Sequence, residues 1–236
     1  MSFATSVVTY FLLLSQLGIP TYGIRACARV RDDRKALSCV VHELLAINLL
    51  MSVLAYLLLG GCVFLIPKLR VEKTLIFVIS FTIILNAIGM EWLYKALEQY
   101  TYITIRSVIF KAIAVIAMLL MVRQKSDYIV YGALTIFAAS ASNICNFVHA
   151  HKYIDFFLKE KCDLKKHLKP VLVFFAMSCA TVIYTNLDTV MLGLMKGNVD
   201  VGYYNAAVKI KGILLGVVTA LGTVMLPRLS YYVEHG

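Results

Sequence analysis

The chain has 236 residues, of which 61% are hydrophobic and only 15% charged, with a mean hydropathy of +0.81. Soluble domains carry about a quarter charged residues, so this composition excludes a water-soluble globular domain and predicts an integral membrane protein. The net charge of +10 points to basic loops beside a membrane, not to nucleic acid, because no soluble segment interleaves a basic cluster with aromatic residues.

Seven apolar segments follow one another, each near the ~20 residues that cross a bilayer. All are expected to be helical, because an open sheet edge in lipid leaves backbone groups unpaired. The first, Phe3–Ile24, carries Pro20 between Gly18 and Gly23, where the missing N–H predicts a kink or a helix end. Arg25 and Arg29 follow four residues apart. The second, Leu44–Ile66, places Asn48, Ser52 and Tyr56 on one face. The third, Leu75–Leu93, has Asn86 in mid-span and Glu91 near its end, with Trp92 and Tyr94 read as interfacial anchors. The fourth, Ile105–Val122, aligns Thr104, Ser107 and Lys111. The fifth, Tyr128–Val148, aligns Thr135, Ser142, Asn146 and His149. The sixth, Val171–Leu194, lines up Ser178, Thr181, Thr185 and Asp188. In the seventh, Ala206–Leu226, Lys209 shares a face with Gly212 and Gly216, while Lys211 lies about 200° round the helix.

Taken singly, such serines and threonines bond back to their own helix, and such amides join helices to one another. Stripes on so many segments, three of them bearing a charge, fit a bundle around a hydrophilic cavity, which is transporter architecture. Ionisable groups within spans are functional candidates by default. The six cysteines (Cys27, Cys39, Cys62, Cys145, Cys162, Cys179) form no CxxC pair and read as small hydrophobes, not as disulfides or metal ligands. No basic residue precedes the first apolar run, so that run does not read as a signal peptide.

Orientation follows from lysine and arginine. Arg25–Ser38, Tyr94–Arg106, His149–Lys169 and the tail hold fourteen of them; the alternate connections hold six (Lys68, Arg70, Lys73, Arg123, Lys125, Lys196). The richer side is expected to be cytoplasmic. This puts Met1 outside and Gly236 inside, with an uncharged stub before the first span and an abrupt end after the last. Both features predict a segment of a longer chain.

The motifs LGIPTYGIR, VRDDR, GMEWLYKALEQYTYITIRS, HLKP, YTNLDTVMLG, VGYYNAAVKI and LGTVMLPRLS resemble, along almost the whole chain, the Wzx-type oligosaccharide flippases. These are the polysaccharide-biosynthesis branch of the superfamily that includes the MATE drug exporters. The resemblance implies an all-α, two-lobe helical bundle, of which residues 1–160 supply most of the first lobe (helices two to six of the family pattern). Residues 161–236 then supply the end of a cytoplasmic linker and the first two helices of the second lobe. It also implies a function: moving an undecaprenyl-pyrophosphate-linked oligosaccharide across the bacterial inner membrane for O-antigen or capsule assembly, with membrane lipids and other assembly proteins as partners.

A sugar chain needs a polar cavity, for which Asn48, Asn86 and Asn146 are the amide candidates. The pyrophosphate needs cations, for which Arg25, Lys111 and Lys209 stand in position. Asp188 either binds a coupling Na⁺ or H⁺ or pairs with Lys209. No catalytic residue, cofactor or nucleic-acid partner is expected. Two alternatives compete. A MATE-type exporter of cations would favour acidic groups in the cavity, whereas lysines outnumber aspartate within these spans. A membrane-embedded glycosyltransferase or polymerase needs a carboxylate pair, and the loop carboxylates Asp32 and Asp33 sit among arginines.

Overall fold

Helices account for every regular element among the described residues, the arrangement that satisfies backbone groups inside an apolar solvent. The computed structural model describes residues 2–65, 70, 73–124, 127–156, 163–195 and 198–235. The side chains of 2–6, 128, 182–183, 185–203, 205–206, 209, 214, 217–218 and 234–235 lie outside the described set.

In chain order the elements are α1 (Ser2–Gln16), α2 (Ile19–Arg29), α3 (Arg34–Leu65), α4 (Lys73–Gly89), α5 (Glu91–Ala96), α6 (Tyr100–Met121) and α7 (Tyr128–Ile136). A π-turn (Phe137–Ala141) joins α7 to α8 (Ser142–His149), and a 3₁₀ turn (Ala150–Lys152) ends that run. The long helices α9 (Lys165–Met195) and α10 (Asn198–His235) follow. Among the described residues four stretches are long and apolar enough to cross a membrane: Val7–Arg29, Arg34–Leu65, Tyr100–Met121 and Ile129–Lys152. The helix Lys73–Gly89 is shorter and also apolar. Large apolar side chains cover the outside, and α6 alone exposes Ile105, Val108, Ile109, Ile113, Ile116 and Leu119. That is the surface of a multi-pass membrane protein.

The first predicted span is broken, and not by its proline. Leu17 (φ 44°) and Gly18 (φ 74°) both take left-handed conformations, which ends α1. Pro20 then sits in the first turn of α2, where its absent N–H breaks no helical bond. Glycine is required at position 18 twice over. The φ is one that other residues adopt at a cost, and a Cβ there would lie 2.5 Å from the Phe175 backbone nitrogen.

A second break at Met90 (φ 42°) separates α4 from α5 and turns α5 into the bundle. Trp92 and Tyr94 are therefore core residues, 5% and 0% exposed, and not the interfacial anchors expected from composition. A third left-handed residue, Glu98 (φ 56°), leads into α6. That helix begins at Tyr100, so Arg106 lies in its second turn instead of a cytoplasmic loop. It is 7% exposed, and its Nη1 donates to Ser142 O (2.8 Å). The predicted loop Arg25–Ser38 likewise shrinks to residues 30–33, because α2 runs on to Arg29 and α3 starts at Arg34.

Two apolar cores result. One gathers Ile19, Cys27, Val41, Leu44, Met90 and Leu93 near the basic ends of the helices. The other gathers Val8, Leu59, Leu75, Ile79 and Ile83 towards the opposite ends. Between them the chain breaks leave room for polar side chains.

Candidate substrate cavities

A cavity of about 180 Å³ opens beside the α1–α2 break, lined by Gln16, Pro20, Asn48, Asn86, Glu91, Trp92, Lys95 and Asn143. Asn48 and Asn86 come from the interiors of α3 and α4, and breaks in the backbone place the other six. The α1–α2 turn supplies Gln16 and Pro20, and the Met90 turn supplies Glu91, Trp92 and Lys95. The π-turn, a one-residue helical insertion frequent at functional sites, precedes Asn143.

The amides are tied together. Asn86 Nδ2 donates to Thr82 O (2.8 Å) and to Ser140 Oγ (3.3 Å) in the π-turn, while Asn143 Nδ2 donates to Asn86 Oδ1 (3.4 Å). Asn48 Nδ2 donates to Ala87 O (3.3 Å). Gly89 permits this close packing, since a Cβ there would meet Asn143 Cγ at 2.5 Å. Glu91 and Lys95 form an i,i+4 ion pair at 2.8 Å. Asn48 Oδ1 and Trp92 Nε1, on two lining residues, have no hydrogen-bond partner among the described residues. Beside the Glu91–Lys95 ion pair, the amides give this lining neutral donors and acceptors, the chemistry that pairs with hydroxyl groups.

A second cavity, about 290 Å³, lies between α2 and α9 and is lined by Tyr22, Arg25, Ala26, Arg29, Pro170 and Phe174. The Arg25 guanidinium stands 5.3 Å from the Phe174 ring centroid, a cation–π placement. Arginine held in this way suits bidentate recognition of phosphate oxygens.

Beside this cavity, joined to it through Tyr22, lies a network around a buried carboxylate that sequence reading missed. The Glu43 side chain is fully buried. Its Oε2 pairs with Lys166 Nζ (2.8 Å) and His167 Nε2 (2.6 Å), and its Oε1 accepts from the Asp163 backbone N–H (2.7 Å). His167 Nδ1 in turn bonds the Tyr22 hydroxyl (2.8 Å). The carboxylate raises the Lys166 ammonium above its ordinary value by accepting its hydrogen bond. With the folded value raised, that contribution is complete below the usual lysine range and is lost only as strongly alkaline pH passes the raised value. A single acid beside an apolar run was the available signal, because isolated carboxylates next to a span are costly unless paired.

The predicted site residues divide as follows. Asn48 and Asn86 line the amide cavity and Arg25 lines the arginine cavity. Asn146 is fully buried but elsewhere, donating to Gly89 O (2.7 Å) while Tyr94 Oη donates to its backbone carbonyl (2.6 Å). Lys111 is exposed on the outer face of α6 and lines neither cavity. The side chains of Asp188 and Lys209 lie outside the described residues. Among the described residues no group of three His, Cys, Asp or Glu is placed to hold a metal ion.

The breaks, the amide cavity and the apolar exterior define a multi-pass helical membrane protein with a polar interior. Residues 1–233 match the family model described as polysaccharide biosynthesis protein, and the chain belongs to that family. It is similar to a protein of Shigella dysenteriae named "Putative O-antigen transporter", with 25% identity over 228 residues, 95% of this chain and 57% of that protein. It is also similar to a protein of the same name from Escherichia coli (strain K12), 20% identical over 234 residues, 97% of this chain and 55% of that one. The chain thus spans a little over half the length of these curated relatives. No solved structure matches it.

Proposed function

We propose that this chain is part of a flippase, not an enzyme, that carries an undecaprenyl-pyrophosphate-linked oligosaccharide across the bacterial inner membrane for surface polysaccharide assembly. One observation carries the reading: a cavity of interlocked amides lies inside a bundle whose exterior is apolar, in a member of a polysaccharide-biosynthesis family. Sugar hydroxyls exchange water for amide partners there, and the diphosphate meets Arg25 at the basic ends of the helices. The lipid tail stays in the bilayer. Seven crossings in a MATE-like two-lobe bundle, with residues 1–160 in the first lobe, accommodate these parts. Asp188 and Lys209 in the last two helices are the proposed coupling-ion and second head-group residues, and alternating access moves the head group past them.

The test uses the full-length gene in a strain lacking its own flippase. Asn86→Ala removes an amide that bonds across to the π-turn. A single hydrogen bond contributes about 0.5–1.5 kcal/mol, so surface polymer is expected to fall roughly two- to tenfold at equal protein abundance. Polymer at the wild-type level, with abundance matched, contradicts the assignment of this cavity to the sugar.

A further inference from the structure

A third cavity has no part in that reading. It measures about 490 Å³ and is lined by Tyr56, Leu59, Gly60 and Val63 of α3 and by Lys73, Thr74, Ile76, Phe77 and Ser80 of α4. Its volume falls within the ordinary range for small-molecule sites, about 300–1,000 Å³. It shares no lining residue with the amide or arginine cavity.

The groove opens outward. Phe77 on its wall is 64% exposed, and a Cβ built on Gly60 would meet nothing within 4 Å. Its inner end is closed where Tyr56 Oη donates to Ser80 O (2.5 Å), linking the two helices. From Lys73 to Ser80 is seven residues, about 10 Å along a helix, or roughly a third of the hydrocarbon thickness of a bilayer. At the open end stands Lys73, for which no ion pair is found among the described residues, in the first turn of α4.

An ammonium with no ion partner among the described residues, at the rim of an apolar groove that faces the bilayer, is complementary to an amphiphile with an anionic head. We propose that this groove is a binding site for an anionic glycerophospholipid of the membrane. One acyl chain lies along Leu59, Gly60, Val63, Ile76 and Phe77, and the phosphate meets Lys73. A neutral or zwitterionic lipid fills the groove but leaves the ammonium without a net counter-charge, so the site discriminates by head group. The proposal does not depend on what the protein transports.

The test is native mass spectrometry of the detergent-purified full-length protein, with phosphatidylglycerol, phosphatidylethanolamine or a polyprenyl phosphate added in turn. Wild-type protein is expected to retain phosphatidylglycerol in preference to phosphatidylethanolamine. A basic residue near a membrane surface contributes enough that Lys73→Gln should reduce that preference about fivefold. Gly60→Leu, which the open space at that position accommodates, should abolish retention of both lipids. Equal retention of the two lipids by wild type, or a preference unchanged in Lys73→Gln, overturns the proposal. Displacement of phosphatidylglycerol by an equimolar polyprenyl phosphate overturns the choice of occupant and assigns the groove to the cargo.

Discussion

Glu43 shows what a single residue does in this bundle. Placing a carboxylate where its side chain is fully buried is costly unless opposite charge and hydrogen bonds accompany it. Here Lys166, His167 and the Asp163 backbone N–H supply both, all from the start of α9 or the segment just before it. The carboxylate therefore fastens α9 to α3, and through Tyr22 the same network reaches α2 and the arginine cavity. Glu43→Gln keeps the shape and removes the charge, which weakens charge-assisted bonds worth about 1.5–3 kcal/mol. Lys166 is about half exposed, and solvent screening holds its share to the lower part of that range. The midpoint of thermal unfolding of the full-length protein in detergent should drop accordingly; an unchanged midpoint would show that the network carries no net stability.

At the scale of elements, the left-handed breaks matter more than the long helices. Gly18 and Pro20 stand two residues apart, yet the structure assigns them unequal weight. Gly18→Ala forces a Cβ into the Phe175 backbone at a φ that favours glycine, with about 1–2 kcal/mol for the conformation alone. Pro20→Ala changes a first-turn position that tolerates either residue. The expected outcome is a marked loss of folded Gly18→Ala protein in the membrane, with Pro20→Ala near wild type, measured by fluorescence-detected size-exclusion of tagged full-length chains. The reverse order would mean that the proline, not the glycine, makes the break.

This same pair explains how far the sequence could be read. Helical class, apolar spans, the polar face of Asn48 and the mid-span place of Asn86 follow from composition and 3.6-residue spacing, which report on one helix at a time. A kink near Pro20 was also legible, though its cause was not. Met90 and Leu17 were illegible because non-glycine residues at positive φ carry no composition signal; they persist only where packing determines them. Without the Met90 break Trp92 reads as an anchor, and without the Glu98 turn that starts α6 at Tyr100 Arg106 reads as a loop residue. Asn143 lines the cavity through the π-turn, a register shift that regular periodicity cannot express.

Across the whole molecule, the basic ends of the helices form a second set of ties between early and late parts of the chain. Glu98, held in its left-handed turn, accepts from Arg31 Nη1 in the loop after α2 (2.9 Å) and from Arg228 Nε of α10 (3.2 Å). The Arg31 guanidinium lies 3.9 Å from the Tyr231 ring centroid, and Tyr100 Oη donates to Thr223 O (3.0 Å). With the Glu43 network, two acidic hubs on the first part of the bundle thus hold α9 and α10.

In the proposed function a lipid-linked sugar passes through the amide cavity. The most direct test of this step is reconstitution of the purified full-length protein in liposomes loaded with a fluorescently tagged polyprenyl-diphosphate oligosaccharide, followed by quenching from one leaflet. Wild-type protein should deliver the inner-leaflet pool to the quencher. Asn48→Leu with Asn143→Leu, which removes two of the lining amides without adding charge, should slow that delivery at least tenfold. Exposure no faster than in protein-free liposomes, or equal rates for wild type and the double variant, would contradict the account.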